Sequence, residues 1–338
     1  MTEKVINRRE IIKQGCLALT LLAVPFPLTA FTKLKKMTND KKYEVIIIGG
    51  SYSGLSAGMA LGRALRKTLI IDSGKPCNIQ TPNSHNFLTQ DGKTPKEISA
   101  LAKQQVERYD TVKFYSGLAI SGTKIEKGFK ITTEKGDVFS AEKLIFATGV
   151  KDIMPNINGF ADCWGISIIH CPYCHGYEYK NEKTGILANG DMAFEMGKLI
   201  NNWTKDLTVF TNGTSTLTME QSEKLTKHTI KINETEIDNF NHINGHIESI
   251  VFKNGEVELI KALYARPAFE QHCNIPQQLD CEITEQNYVK VDAFQKTSTH
   301  GIFACEDSTT MLRSVSYAIA MGGIAGAMTN KELTEENF

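Results

Sequence analysis

The sequence predicts an α/β fold of two Rossmann-like nucleotide-binding units in three layers (ββα/βαβ), the second inserted into the first. Three observations predict it. A continuous run rich in β-branched residues, Tyr43-Glu44-Val45-Ile46-Ile47-Ile48, stops at a glycine pair, as a buried parallel strand entering a tight turn does. A second strand–turn–helix pattern opens at Gly185-Ile186-Leu187-Ala188. Beyond it the chain returns to strands and a final helix, so the first unit closes only after the second is complete.

Each element follows in order. A helix is expected from Ser53 to Arg66, then a strand from Thr68 to Ile71 ending at Asp72, which completes one βαβ unit. A loop rich in Pro, Asn and Ser runs from Ser73 to Thr94, and a helix begins near Pro95. Short alternating segments between Val112 and Phe139, broken by Gly122, Gly128 and Gly136, predict a small antiparallel meander. Lys143 to Ala147 returns to a buried strand. The second unit places a helix at Met192–Trp203 and a strand at Leu207–Phe210, and Asn254-Gly255 marks a hairpin. A last helix spans Val315–Leu333. Residues 37–155 and 264–338 then form the first domain, and 156–263 the inserted one.

The 338 residues give room for about two domains. Lys+Arg and Asp+Glu both number 38, and this neutral balance argues against a nucleic-acid partner. Eight cysteines in a chain of this length are too sparse for a disulfide-stapled scaffold. Residues 1–36 stand apart. Arg8-Arg9 precedes an uncharged stretch from Cys16 to Phe31, with small residues at Thr29-Ala30, which predicts a twin-arginine export signal and an exported, periplasmic location. Translation from Met37 would instead give a cytoplasmic protein.

Gly49-Gly50-Ser51-Tyr52-Ser53-Gly54 fits the dinucleotide fingerprint, with Ser51 at the middle glycine position. Gly49 makes the turn, Gly54 lets helix and strand approach, and the helix N-terminus offers unpaired N–H groups to a diphosphate. Asp72, 23 residues after Gly49, stands where a carboxylate accepts hydrogen bonds from ribose hydroxyls.

The chemical centre is His170-Cys171-Pro172-Tyr173-Cys174-His175-Gly176-Tyr177-Glu178. Two intervening residues place both sulfurs within bonding range at the start of a helix, and a helix terminus favours the thiolate that exchange chemistry needs. His170 and His175 are candidate acid/base groups. A zinc site built from these Cys and His residues, with Cys163, Cys273 or Cys281 as remote ligands, is the competing reading. Redox use is preferred because no second close pair accompanies the first, so no metal ligand is assigned.

With these motifs in order, residues 43 to 333 resemble the thioredoxin-reductase-like class of FAD-dependent pyridine nucleotide-disulfide oxidoreductases. The marks are the glycine turn, Ala147-Thr148-Gly149 after a strand, the cysteine pair, and Thr297-Ser298-Thr299-His300-Gly301-Ile302-Phe303-Ala304-Cys305-Glu306-Asp307 with Arg313-Ser314-Val315 near the end. The Cys-Pro-Tyr-Cys-His-Gly-Tyr-Glu run is most similar to the branch holding dithiol oxidases of the gliotoxin type. The resemblance implies that Gly49, Gly50, Ser51, Ser53, Gly54, Asp72, Ala147, Thr148, Gly149 and Asp307 bind FAD, and that Ser314 and Val315 approach its isoalloxazine ring. It implies Cys174 as the sulfur facing the flavin, Cys171 as the one exchanging with substrate, and His175 as proton donor. A small dithiol or disulfide, or a thioredoxin-like protein, is the implied substrate, and a homodimer the implied assembly.

The chain departs from the pattern at three places. Glu306 replaces the glycine before the FAD-binding aspartate. Ala188 stands at the first glycine of the second turn. The strand after it ends Phe210-Thr211-Asn212-Gly213 with no arginine to pair with the 2′-phosphate of NADPH, and no acidic residue to favour NADH. Electron flow from NADPH or NADH to a protein disulfide, flow from a dithiol through FAD to oxygen or another acceptor without NADPH, and a non-catalytic redox or zinc sensor all remain open on sequence.

Overall fold

The computed structural model describes residues 41–338, so the segment expected to be an export signal lies outside the described residues. The first half runs β1 (Lys41–Ile48), α1 (Tyr52–Arg63), β2 (Thr68–Asp72), α2 (Pro95–Val106), β3 (Val112–Ser116), β4 (Ala119–Ile125), β5 (Gly128–Thr133) and β6 (Val138–Phe146). A linking strand β7 (Val150–Asp152) follows, then α3 (Phe160–Cys163), β8 (Ile168–Ile169) and the one-turn α4 (Pro172–His175). The second unit continues with β9 (Thr184–Leu187), α5 (Gly190–Ile200), β10 (Leu207–Phe210), α6 (Met219–Lys227), β11 (Lys231–Asn233) and the meander β12 (Ile237–Ile243), β13 (His246–Phe252) and β14 (Val257–Leu259). The chain returns through β15 (Ala262–Ala265), β16 (Phe269–Gln271), α7 (Ile275–Gln278), β17 (Ile302–Ala304) and α8 (Val315–Asn337).

The first sheet has the order β3-β2-β1-β6-β5-β4, and β6 pairs β5 along its first half and β17 along its second. β1, β6 and β17 are parallel neighbours, so Ile48, Phe146 and Ala304 end side by side. That register brings three turns distant in sequence to one edge: 49–50, 147–149 and 305–307. Ligands of open α/β sheets bind at such an edge, where helices leave in opposite directions.

Val45, Ile46, Ile47, Leu144 and Ile145 have no appreciable exposure, as expected of strands covered on both faces. One face carries Ile46, Leu69, Phe129 and Phe146; the other carries Ile47, Ile70 and Phe303, packed with Leu61 of α1 and covered by α1 and α8. The two helices approach through glycines, because a Cβ at Gly322 would strike the Ser53 carbonyl oxygen. The Ser56 hydroxyl seals the contact by donating to the Ile319 carbonyl at 2.7 Å. At the far end of α8, buried Lys143 pairs with Glu332 at 2.9 Å and Glu336 at 2.5 Å, so its charge is compensated where it lies.

The second sheet, β11-β10-β9-β15-β8, is parallel throughout. The units are joined by the antiparallel pair β7–β16, one strand outbound and one returning. Three expectations need correcting. Val112–Ser116 pairs parallel to β2 at the sheet edge, and only β4, β5 and β6 form the antiparallel part. The alternating pattern was the same in both cases, and pairing partner is not encoded in period. The second sheet extends through Ala265, past the expected boundary at 263. α1 stops at Arg63, where Leu65 takes a left-handed φ of 60°. Among the described residues no helix is long and apolar enough to cross a membrane.

Candidate functional site

The site starts from the glycine turn. Gly49 has φ +103°, a conformation that favours glycine, and a Cβ there would collide with the Ala147 carbonyl oxygen. Gly54 faces the same limit against the Gly49 carbonyl. The Gly50 N–H donates to the Asp72 carboxylate at 3.2 Å, which anchors that carboxylate beside the turn. α1 begins at Ser51 with no side-chain cap, so its first N–H groups face the cleft. Around them the buried hydroxyls of Ser53 and Thr148 have no hydrogen-bond partner, an uncommon state for buried polar atoms.

A cleft lined by Gly49, Gly50, Asp72, Thr148, Gly149 and Asp307 runs from this turn. It shares Ser51, Cys77, Glu306 and Asp307 with a second cavity, whose walls include His170, Cys174, His175, Arg313, Ser314 and Val315. The two lobes form one elongated groove: a backbone-lined part beside a helix N-terminus and a part ending at a sulfur. Its outline suits an extended dinucleotide with diphosphate at the turn. Of the residues picked out in the sequence, Ser53 and Gly54 lie behind the lining, and Cys171 lies outside the groove.

Cys171 and Cys174 are joined in a disulfide with Cα atoms 5.3 Å apart. Pro172 opens the one-turn helix, where its missing N–H costs nothing. Cys171 is the cap: its Sγ accepts the Cys174 N–H at 3.1 Å, and its carbonyl accepts from His175 N–H at 3.2 Å. The helix thereby turns Cys174 into the groove and leaves Cys171 on the other side. Exposed Tyr173 stands edge-on to Trp203 at 5.6 Å.

Two histidines flank Cys174. Burial holds His170 well below the ordinary imidazole value, at about 3, and the positive charge of Arg313 adds to this. It stays neutral near pH 7 and lies against Trp164 at 5.9 Å. Burial also lowers His175; His85 adds to the effect and Glu178 opposes it. The His85 ring stands edge-on to His175 at 6.5 Å, with its nitrogens 3.5 Å from Glu178 and 3.8 Å from Asp91. The lowered value favours the neutral His175 ring, and His85 is a neighbour that sequence reasoning missed. Nothing in its Pro/Asn/Ser-rich loop marked it.

At the groove's centre, Arg313 donates two hydrogen bonds to Asp152, at 2.7 and 3.0 Å, and one to Asp307 at 3.2 Å. Burial works against the guanidinium charge, but Asp152 and Asp307 outweigh it and raise the arginine's pKa. Burial raises Asp307, and Arg313 opposes the shift. Burial, with Asp307 alongside, pushes Glu306 up to about 8, against opposing contributions from Ser53 and the Gly149 N–H.

The second turn differs. Asn189 caps α5 with its own side chain, whose oxygen accepts from the N–H groups of Gly190 and Thr216, both at 2.8 Å, and from the Thr216 hydroxyl at 3.1 Å. Its amide donates to the Thr214 carbonyl at 2.9 Å. The loop after β10 is thus clasped onto the helix N-terminus, which the first turn leaves open. Farther along, Thr211 and Asn212 spend their side chains on Gly213 and Ile237, and residues 211–217 carry no charge.

Comparison with known proteins agrees with this architecture. The profile of the pyridine nucleotide-disulphide oxidoreductase family matches residues 43–322. Thioredoxin reductase tcpT of Claviceps purpurea is 32% identical over 88% of this chain and 96% of its own length. Thioredoxin reductase aclD of Aspergillus oryzae is 30% identical over 84% of this chain and 94% of its own. An oxidoreductase from Agrobacterium tumefaciens is 34% identical with a TM-score of 0.82, covering 87% of this chain and 99% of that one. A putative thioredoxin reductase TrxB from Bacillus anthracis is 29% identical with a TM-score of 0.83, covering 88% and 100%. The chain is an oxidoreductase of the pyridine nucleotide-disulphide oxidoreductase family, of the thioredoxin-reductase-like kind.

Proposed function

We propose that the protein is an FAD-dependent thiol–disulfide oxidoreductase that takes electrons from a small dithiol without using a pyridine nucleotide. The observation that carries the first half is the shared groove, in which Cys174 lines one cavity with Asp307, Ser314 and Val315. The Asn189 clasp favours the second half, because it engages the Gly190 N–H at the helix start and ties the 214–216 loop across the place where a nicotinamide dinucleotide's diphosphate would sit.

The residues fit FAD: Asp72 would take the adenosine ribose, the 49–54 turn the diphosphate, Asp307 the ribityl chain, and Ser314 and Val315 the ring. When bound, the flavin supplies a two-electron partner for the cysteine pair. The chain's own part is exchange. A substrate thiolate attacks Cys171 Sγ, breaking the Cys171–Cys174 bond and releasing Cys174 as thiolate. The second substrate thiolate then attacks the mixed disulfide, leaving substrate oxidised and both cysteines reduced. Neutral His175 takes up a proton released as the thiols react, with His85 and Glu178 close by. Exposed Tyr173, two residues from Cys171 and edge-on to Trp203, would contact the substrate.

Anaerobic mixing tests the reading. Purified protein is expected to be yellow and to bleach with a small dithiol, and to stay unbleached with equal NADPH or NADH. Bleaching by a nicotinamide alone would reverse the proposed direction, and a colourless protein would end the flavin assignment.

A further inference from the structure

Glu306 occupies the place where glycine normally precedes the FAD-binding aspartate, and three observations give the substitution a purpose. Its backbone keeps the left-handed conformation, φ +64°, so the turn remains glycine-like although the side chain has grown. That side chain is only 8% exposed and lies toward the turn, with its Oε1 3.7 Å from where a Cβ on Gly149 would be. Among the described residues no Lys, Arg or His forms an ion pair with it; Arg313 is spent on Asp152 and Asp307. Glu306 lines both lobes of the groove, beside the α1 N-terminus and the Ser53 hydroxyl, whose nearness opposes its upward shift. The groove therefore holds a buried carboxyl with no cation partner where two phosphates would arrive.

An ionised carboxylate there would only accept hydrogen bonds and would repel a diphosphate, whereas a protonated one donates. We propose that Glu306 is a flavin-binding residue that works as an acid, donating its proton in a hydrogen bond to the diphosphate, so that FAD is held only while Glu306 is neutral. The inference rests on the FAD reading above. The groups facing Glu306 are the Asp307 carboxyl, the Cys305 and Cys77 thiols and the Ser53 hydroxyl, with Arg313 and Asp152 behind Asp307. Burial raises the Cys305 thiol, and it stays uncharged alongside Glu306. Burial raises Glu306 itself, up to about 8, which favours its neutral form.

The test measures flavin retention. The holoprotein is equilibrated by ultrafiltration between pH 6.5 and 9.5, on the order of the range that linkage requires, and free FAD is read by fluorescence. Wild-type affinity is expected to be flat below about 8 and to weaken by about tenfold per pH unit above it, as binding linked to one proton requires. Glu306→Gln, which keeps a donor without a titrating proton, is expected to retain FAD with no such slope. Glu306→Gly, the residue this backbone conformation favours, also loses the slope and binds more weakly than the glutamine variant at neutral pH. A wild type and a Glu306→Gln variant with the same slope would overturn the inference while leaving the FAD reading intact. A wild type that retains no flavin at any pH would overturn both.

Discussion

Arg313 grips Asp152 with both terminal guanidinium nitrogens, at 2.7 and 3.0 Å, across a sequence separation of 161 residues. The pair ties the turn before α8 to β7, one of the two strands joining the nucleotide units. It therefore fixes the groove wall that carries Ser314 and Val315 relative to the joint leading to the cysteines.

Arg313→Ala would leave Asp152 and Asp307 as neighbouring buried carboxyls without a cation. Loss of one partner of a buried pair costs about 3–5 kcal/mol, so denaturant unfolding should show a drop of that order. Arg313→Lys should recover only part, because a single ammonium cannot reproduce the two-pronged contact. A loss under about 1 kcal/mol for the alanine variant would mean that the carboxyls find other partners.

His170 gives a pH signature. Its folded-state value is lowered to about 3 by burial, so the unfolded chain binds a proton that the folded chain refuses. The contribution to stability is complete above the ordinary imidazole value and is lost as pH falls from there toward about 3. His170→Phe, which keeps a ring against Trp164, should flatten the acid limb of a plot of unfolding free energy against pH. An unchanged limb would assign that acid sensitivity to other groups.

Glu306 acts at the opposite end of the scale. Because burial raises it, its contribution is complete below the ordinary glutamate value and declines as pH climbs to about 8. Thermal unfolding of flavin-free wild type and Glu306→Gln should coincide near the acid end and separate with rising pH, the variant being the more stable. Coincident curves at all pH values would show that the carboxyl finds solvent in the folded state.

Asn189→Ala should loosen the clasp on α5 and cost about 1–2 kcal/mol in unfolding experiments, the loss expected for a partly exposed cap with several hydrogen bonds. It should not create NADPH-dependent bleaching, because residues 211–217 offer no cation for a 2′-phosphate. Bleaching by NADPH in this variant would show the clasp alone to be the barrier.

Much of this was legible in the sequence, for identifiable reasons. A β-branched run ending in two glycines announces its strand and turn because those residues suit few other conformations, and Cys171 and Cys174 sit three apart, so their geometry is local. What was hidden was long-range. Arg313 belonged to a recognised turn, but nothing near Asp152 marked it as the partner. Val112–Ser116 alternates like a meander strand, yet it pairs with β2 because α2 returns the chain to the sheet edge. The clasp was half visible: Ala188 and the uncharged end of β10 stood out, while the hydrogen bonds that Asn189 donates to Thr214 and accepts from Thr216 depend on how a loop folds back. His85 had no local signal, since its relation to His175 and Glu178 exists only in three dimensions.

The measurement that bears most directly on the central claim is anaerobic mixing of one equivalent of a small dithiol with wild type and with Cys174→Ser, followed at the visible flavin band. Wild type should bleach, and the variant should keep its flavin and its colour. A Cys174→Ser protein that bleaches as fast as wild type would show that electrons reach the cofactor by another route, and that the sulfur in the groove is not their carrier.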